Sequence, residues 1–314
     1  MKALILAGGF ATRLWPLTMN KAKPLLPIAD KSIISHIIDK IPADIPIVVS
    51  TNKAFQDDFF AWRKTHADRN ITVFIEDSKD DSGKKGALGA IRLVINEFKI
   101  DDDLLVIAGD NYFSFQITDF INAFDGRPML AAYDVRSVDE AKKYGVVITD
   151  GKRIVDFQEK PAQPKSTLAS TGCYLYPQKI LNHIISAAEQ MPDVLGGPFN
   201  YFLEHDIPAD IYAFDEYWND IGTFNAYVDA HMSSGCAHVP EHLAQDHLGN
   251  TFEGVNYIDA DCIIKNCHIK DSIVLSGSRL HNCAIKESII DKECEFHNLE
   301  LSKEIVKQKT VVFN

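Results

Sequence analysis

The sequence predicts an α/β protein with a Rossmann-like, mostly parallel sheet over residues 1–231, a linker over 232–249 and a parallel β-helix over 250–314. Three observations predict it. Short apolar runs alternate with helix-period patterns as far as about residue 230, the signature of strands and helices in alternation. His, Ser and Gly then gather without any period before Gly249. Beyond it Asn250, Asn266, Asn282 and Asn298 recur every sixteen residues, and Asn266-Cys-His-Ile-Lys-Asp-Ser-Ile-Val aligns with Asn282-Cys-Ala-Ile-Lys-Glu-Ser-Ile-Ile without a gap.

Taken in order, the pattern predicts strands over 3–7, 47–50, 72–75, 104–108 and 129–135, and helices over 33–41, 87–98 and 180–190. In open sheets of this kind ligands bind beyond the carboxyl ends of the strands, which directs attention to the residues after Ala7 and after Ala108. In the repeat, apolar positions keep one phase: Ile269, Ile285 and Leu301; Tyr257, Ile273, Ile289 and Ile305; Ile264, Leu280, Phe296 and Val312. A unit this short cannot bury its apolar face alone, whereas four stacked coils form a continuous core. In the same frame Cys267 sits over Cys283, and Cys262 and Cys294 share a second position two coils apart. With Cys173 and Cys236 they make six cysteines without a CxxC pair or zinc-finger histidines, read as free buried thiols. His281 and His297 share a repeat position that could suggest a site, but stacked surface loops explain them more simply; the β-helix is read as an oligomerisation or lid element.

With 46% apolar and 24% charged residues in 314, the chain has the composition of a soluble globular protein. Its formal charge of −12 disfavours a nucleic-acid polymer or an anionic membrane as partner, since both are held by clustered Lys and Arg. The apolar run 3–7 is too short for a membrane span or a secretory segment, so a cytoplasmic protein is expected. A phosphorylated small molecule remains as a ligand, provided that a local basic cluster or a divalent cation opposes the acidic background.

That cluster is present in Leu6-Ala-Gly-Gly-Phe-Ala-Thr-Arg-Leu-Trp-Pro-Leu-Thr18, followed by Lys21 and by Lys23-Pro-Leu-Leu-Pro27. A strand running into Gly8-Gly9 lets backbone N–H groups approach phosphate oxygens, and Thr12, Arg13, Lys21 and Lys23 supply a hydroxyl and three cations. It is neither the Walker loop nor the dinucleotide fingerprint, because no Gly-Lys-Ser/Thr and no third spaced glycine follows. Asp110, after the apolar run 104–108, stands where a carboxylate can hold a cation beyond the sheet edge, although a lone Asp there is more often a turn or a helix cap.

The stretch resembles the N-terminal signature of the sugar-phosphate nucleotidylyltransferases, GGxGTRLxPLT followed by KPxxP, which includes glucose-1-phosphate thymidylyltransferases and mannose-1-phosphate guanylyltransferases. Ala11 departs from it where many members have Gly, and its Cβ limits any left-handed backbone there. Six further segments follow in the family's order: Gly86-Ala-Leu-Gly-Ala90, Asp110-Asn111, Tyr144-Gly-Val-Val147, Glu159-Lys-Pro161, Ser170-Thr-Gly-Cys-Tyr174, and Trp218-Asn-Asp-Ile-Gly-Thr223. The resemblance implies a nucleotide-diphospho-sugar transferase fold with a left-handed β-helix, and a reaction of a nucleoside triphosphate with a sugar 1-phosphate that yields a nucleotide-sugar and pyrophosphate.

Carried over residue by residue, it implies that Leu6, Ala7, Gly8, Gly9, Thr12, Arg13, Lys23, Glu76 and Gly86 bind the nucleotide, with Glu76-Asp77 where the thymidylyl and uridylyl branch often has a Gln. It implies Gly145, Glu159, Lys160 and Gly172 for the sugar phosphate, and Asp110 with Asp220 for Mg²⁺, an oxygen-ligated ion that takes its other ligands from phosphates and water. Arg13, Lys23, Asp110 and Lys160 carry the catalysis on this reading. Family habit favours glucose 1-phosphate with dTTP or UTP; mannose 1-phosphate with GTP and a non-catalytic regulatory subunit of the same fold are the alternatives. A homo-oligomer is expected.

Overall fold

The computed structural model describes residues 1–15, 17–19, 21–77, 85–234 and 238–313; Pro16 of the glycine-loop motif and Cys236 lie outside them. The first apolar run forms β1 (Lys2–Leu6), whose Ala3, Leu4 and Ile5 are fully buried. A small hairpin, β2 (Pro27–Ile28) and β3 (Lys31–Ser32), leads into α1 (Ile33–Lys40), β4 (Ile47–Asn52), α2 (Gln56–Lys64), β5 (Ile71–Glu76) and α3 (Ala87–Glu97). There follow β6 (Leu104–Ala108), β7 (Asn111–Phe113), α4 (Ile117–Asn122), β8 (Met129–Asp134) and α5 (Val138–Ala141). Next come β9 (Gly145–Asp150), β10 (Arg153–Glu159), β11 (Leu168–Tyr176), α6 (Leu181–Gln190), α7 (Gly197–Glu204), β12 (Asp210–Phe214), β13 (Trp218–Asp220) and α8 (Phe224–Ser233).

The chain divides into two compact units, one of Met1–Phe10, Ala22–Leu25 and Ile33–Asp220, the other of Ala11–Lys21, Leu26–Ser32 and Ile221–Asn314. The first is built on a nine-stranded sheet of order β5-β4-β1-β6-β11-β8-β12-β10-β9. Its first four strands are mutually parallel, so the carboxyl ends of β1, β4, β5 and β6 share one edge. From β11 onward the pairing is mixed: β11 runs antiparallel to β6 and β8, while β12 is parallel to β8. The expected parallel sheet is thus the half that carries the glycine loop, and an antiparallel half is added to it. The apolar face of α3 packs with α6 and α7 on this sheet, burying Leu88, Ile91, Val94, Ile184, Phe199 and Phe202.

The antiparallel half is fastened by charge as well as packing. Asp210, only 3% exposed, accepts a hydrogen bond from Arg153 Nε at 2.8 Å and lies 3.1 Å from Arg127 Nη2. The cations around it stay partly exposed and can be solvated, whereas the Asp210 carboxylate cannot, so removing a cation is expected to cost more than removing Asp210: Arg153→Ala should lower the urea midpoint further than Asp210→Asn.

In the second unit the repeat forms three parallel ladders. They are β14 (Thr251–Glu253), β17 (His268–Lys270), β20 (Ala284–Lys286) and β23 (Glu300–Ser302); β15 (Tyr257–Ile258), β18 (Ile273–Val274), β21 (Ile289–Ile290) and β24 (Ile305–Val306); and β16 (Ile263–Lys265), β19 (Arg279–His281), β22 (Glu295–His297) and β25 (Val311–Phe313). This is a parallel β-helix, with Ile269, Ile285, Ile264, Leu280 and Phe296 stacked inside it. Pairing partners are sixteen apart, as in Ile269↔Ile285 and Tyr257↔Ile273, except in the first step, where Phe252 pairs with Ile269.

The asparagine period has a backbone cause in its last three members; Asn250 departs from it, because the seventeen-residue first step puts Gly249, at φ 66°, on the corner and Asn250 beside Cys267, whose N–H donates to its Oδ1. Asn266, Asn282 and Asn298 adopt φ of 52°, 54° and 55° at successive corners, a left-handed conformation that Asn tolerates better than most residues. Cys267, Cys283, Cys262 and Cys294 are free and buried, and Cys283 N–H donates to Cys267 Sγ at 3.4 Å. The His281 and His297 rings lie over one another at a tilt of 32°, with centroids 5.5 Å apart. No described helix is long and apolar enough to cross a membrane.

Candidate active site

The carboxyl edge of the parallel strands opens on a cavity of about 300 Å³. Leu6, Ala7, Gly8 and Gly9 extend β1 along one wall, Ala108 and Asp110 extend β6, and Glu76 ends β5. A side chain at Gly8 would come within 3.0 Å of Glu76 Oε1, so glycine there admits the carboxyl group beside the backbone. Asn52 Nδ2 donates to Gly8 O at 3.0 Å and holds the loop to β4.

Lys23 also reaches this cavity. It is 7% exposed, and its Nζ lies 2.6 Å from Asp110 Oδ2 and 3.6 Å from Asp220 Oδ1. The two aspartates, far apart in sequence, are neighbours because β7 and β13 form a short antiparallel ladder in which Asp220 pairs with Asn111. Asn111 is buried; its side-chain amide donates to Asp110 Oδ1 at 3.2 Å and to Ala108 O at 3.3 Å, and accepts from Trp218 Nε1 at 2.8 Å. Trp218 therefore orients Asn111, and Asn111 orients Asp110. Among the described residues no group of three or more His, Cys, Asp or Glu gathers to hold a metal. Two carboxylates beside this cavity do fit a hard divalent cation that draws its remaining ligands from substrate and water.

At the far end of the cavity Gly86 starts α3 at φ +76°, and a Cβ there would meet Pro192 O at 2.3 Å. Leu88 and Gly89 donate their N–H groups to that same oxygen at 2.9 and 3.0 Å, so a protein carbonyl already caps the helix start. Small residues, Gly86, Ala87 and Ala90, leave a slot beneath Glu76 and Lys85. Burial raises the carboxyl pKa of Glu76 above its ordinary value, against the hydrogen bond from Ser50 Oγ at 2.8 Å and the charge of Lys85.

Gly145 and Glu159 are register partners on β9 and β10, and a Cβ on Gly145 would strike Phe157 Cζ at 2.6 Å. Burial likewise raises the Glu159 pKa, opposed by the charge of Lys160. Lys160 itself is turned to solvent, with its side chain 67% exposed and Nζ 3.8 Å from Glu159 Oε1. Gly172, at φ +75°, lies against Ala108 and near Asn111 Nδ2. Thr12 and Arg13 are the exposed residues of a 3-10 turn, Thr12–Leu14, in the second unit, and Leu14 is buried. Ala11 before it has φ 47° and ψ 44°, fixed in part by Thr18 Oγ1, which donates to Ala11 O at 2.8 Å. The methyl thus occupies a left-handed position, and Ala11→Gly is expected to raise stability by about 1 kcal/mol in urea unfolding.

Of the residues expected at the site, Leu6, Ala7, Gly8, Gly9, Lys23, Glu76, Gly86 and Asp110 line the cavity together. Sequence reasoning did not find Lys85, Asp193 and Leu195 on its walls. Asp193 and Leu195 belong to the turn between α6 and α7, which carries no motif and comes to Gly86 only through the packing of those helices.

A family model described as "Nucleotidyl transferase" matches residues 2–235. A provisionally named mannose-1-phosphate guanyltransferase of Sulfolobus acidocaldarius is 27% identical over 73% of this chain and 61% of its own length. The bifunctional protein GlmU of Methanocaldococcus jannaschii is 32% identical over 71% of this chain and 51% of its own. The chain therefore spans between half and two thirds of these relatives. Among solved structures, a provisionally named glucose-1-phosphate thymidylyltransferase from Bacillus anthracis, crystallised with sucrose, superposes with a TM-score of 0.66 at 27% identity, over 74% of this chain and 94% of that one.

Proposed function

Because this chain belongs to the nucleotidyl transferase family, we propose that it joins a nucleoside triphosphate to a sugar 1-phosphate, releasing pyrophosphate and forming a nucleotide-sugar. The observation that carries this reading is Lys23 between Asp110 and Asp220 at the mouth of the glycine-lined cavity. A phosphate oxygen of the sugar 1-phosphate attacks the α-phosphorus in line, a new P–O bond forms, and the bond to the β-phosphate oxygen breaks with pyrophosphate as leaving group. No covalent enzyme intermediate is required, so the protein works by positioning and by neutralising charge.

In this reading the Gly8 and Gly9 backbone cradles phosphate oxygens, Lys23 neutralises the α-phosphate and Arg13 the departing pyrophosphate. Lys160 neutralises the attacking phosphate after turning in from solvent, and Gly145, Glu159 and Gly172 receive the sugar. Asp110 and Asp220 would hold Mg²⁺, which when bound supplies charge neutralisation at the triphosphate. Asn111 orients Asp110, so Asn111→Ala is expected to raise the Mg²⁺ concentration for half-maximal activity about tenfold, checked by metal titration of the rate. A regulatory subunit would lose such groups, whereas Arg13, Lys23, Asp110, Lys160 and Asp220 are all retained.

The sugar expected from the resemblance is glucose 1-phosphate, with dTTP or UTP as co-substrate. One residue favours a second reading for the base. An ionised Glu76 only accepts hydrogen bonds, which suits the adjacent N–H and NH₂ donors of guanine and opposes the carbonyls that flank N3–H in uracil or thymine. Glu76→Gln is accordingly expected to lower the GTP-to-UTP ratio of kcat/KM at least about tenfold.

The reading is tested by pyrophosphate release from five nucleoside triphosphates against glucose, mannose, galactose and N-acetylglucosamine 1-phosphates, with Mg²⁺ and then with EDTA. Metal-dependent turnover in one combination is expected and names both substrates; silence throughout, with folded protein, would move the assignment to a regulatory subunit. The division at 1–231, 232–249 and 250–314 is proposed with it, the last segment serving a homo-oligomer. An unchanged oligomeric state, read from the mass in solution after deletion of residues 250–314, would remove that role.

A further inference from the structure

Lys23 lies on a short stretch of the first unit, Ala22–Leu25, whereas the chain on both sides of it, Ala11–Lys21 and Leu26–Ser32, belongs with the β-helix in the second. The downstream flank is clamped there by α8. The Pro27 carbonyl accepts from the Tyr227 hydroxyl at 2.5 Å and from His231 Nε2 at 3.1 Å, and Ala29 N–H donates to His231 Nδ1 at 3.3 Å. A carbonyl can only accept and an amide N–H can only donate, so the two bonds fix the imidazole as the neutral tautomer with its proton on Nε2.

Ala29 sits at φ 54°, a left-handed position that an alanine holds only where its surroundings over-determine it. His231 is 1% exposed, and its ring lies 4.7 Å from that of Tyr257, on the first coil of the β-helix. Tyr257 is tied in turn to its own coil, donating to Asp259 Oδ1 at 2.7 Å. On the upstream flank the charge of Lys21 acts on Asp291, a half-buried carboxylate that follows β21. None of these side chains lines the cavity.

We propose that His231 is a positioning residue for the segment that carries Lys23: by holding Pro27 and Ala29 against the first coil of the β-helix, it fixes the chain four residues beyond the catalytic lysine. The inference rests on the transferase reading, because it assigns His231 an effect on that reaction. Displacing a reacting group by about 1 Å costs on the order of 100-fold in rate, so a lost clamp registers in kcat.

The test compares His231→Phe, which keeps a ring and loses both bonds, with His231→Asn, whose Oδ1 can accept from Ala29 as Nδ1 does. His231→Phe is expected to lower kcat per folded molecule at least about tenfold with the KM for the sugar 1-phosphate within about twofold of the parent, and His231→Asn to recover to within about threefold. A role in folding alone would reduce the amount of folded protein and leave kcat per folded molecule unchanged; that result, or equal defects in both variants, overturns the proposal. Should His231→Phe not fold, Tyr227→Phe replaces it: the isosteric loss of one bond to Pro27 is expected to lower kcat about threefold, and an unchanged kcat overturns the proposal as surely. Turnover by the parent is measured first, since its absence would refute the transferase reading and not this one.

Discussion

Replacing Lys23 with Met is expected to lower kcat by about 10²- to 10³-fold while the protein stays folded. Met keeps most of the aliphatic stem, which suits a side chain that is 7% exposed, and removes only the ammonium between Asp110 and Asp220. On the proposed assignment the α-phosphate then loses the cation that neutralises it as negative charge builds toward the leaving group. The two carboxylates also lose their shared counter-charge, so their repulsion raises the energy of the ionised pair. Steady-state pyrophosphate release, with circular dichroism to establish folding, checks the result. A kcat within about twofold of the parent would remove Lys23 from the chemistry, since loss of a single electrostatic stabiliser normally costs far more.

The second large effect is expected at Gly86→Ala. The backbone there has φ +76°, which penalises any Cβ, and that Cβ would stand 2.3 Å from Pro192 O and 2.6 Å from Asp193 Oδ1. The nearest obstacle is backbone, and the same carbonyl caps α3 through Leu88 and Gly89, so relief requires the turn between α6 and α7 to move. A loss of about 2–4 kcal/mol in stability is expected, combining left-handed strain with overpacking. The KM for the triphosphate should rise at least about tenfold because the same turn forms a wall of the cavity. Gly9→Ala is the control. Nothing lies within 4 Å of its added methyl and its φ is not in the left-handed region, so stability should not change, and any loss of activity reports how closely a ligand approaches that backbone. Urea unfolding together with KM for both variants separates these outcomes.

The parallel strands, β8 and the helices α1, α3 and α6 were legible because each carries an apolar run or period long enough to read. The run 104–108 is β6 without adjustment, and the helix expected over 87–98 is α3 (Ala87–Glu97). The β-helix was legible for a related reason: its corners demand left-handed residues at a fixed interval, and Asn satisfies that demand at 266, 282 and 298. What could not be read was the ladder of β7 and β13, three residues each, which brings Asp220 beside Asp110. Strands so short have no period, and their pairing is decided by the packing of Trp218 and Asn111 rather than by either sequence. Asp193 and Leu195 escaped notice for the same cause, since their place beside Gly86 depends on where α6 and α7 dock. Ala11 went against its reading: its Cβ was expected to limit a left-handed backbone, yet the chain holds it at φ 47°, with its carbonyl tied by Thr18 Oγ1.

The most direct test of the central claim follows oxygen atoms. With the active substrate pair, a sugar 1-phosphate bearing ¹⁸O in its non-bridging phosphate oxygens is converted, and the products are read by mass spectrometry and ³¹P NMR. Attack of a phosphate oxygen on the α-phosphorus predicts that every labelled oxygen remains in the nucleotide-sugar, one of them in the bridge between its two phosphorus atoms, and that pyrophosphate is unlabelled. Label in pyrophosphate or in free phosphate would contradict nucleotidyl transfer and the roles assigned to Lys23, Asp110 and Asp220.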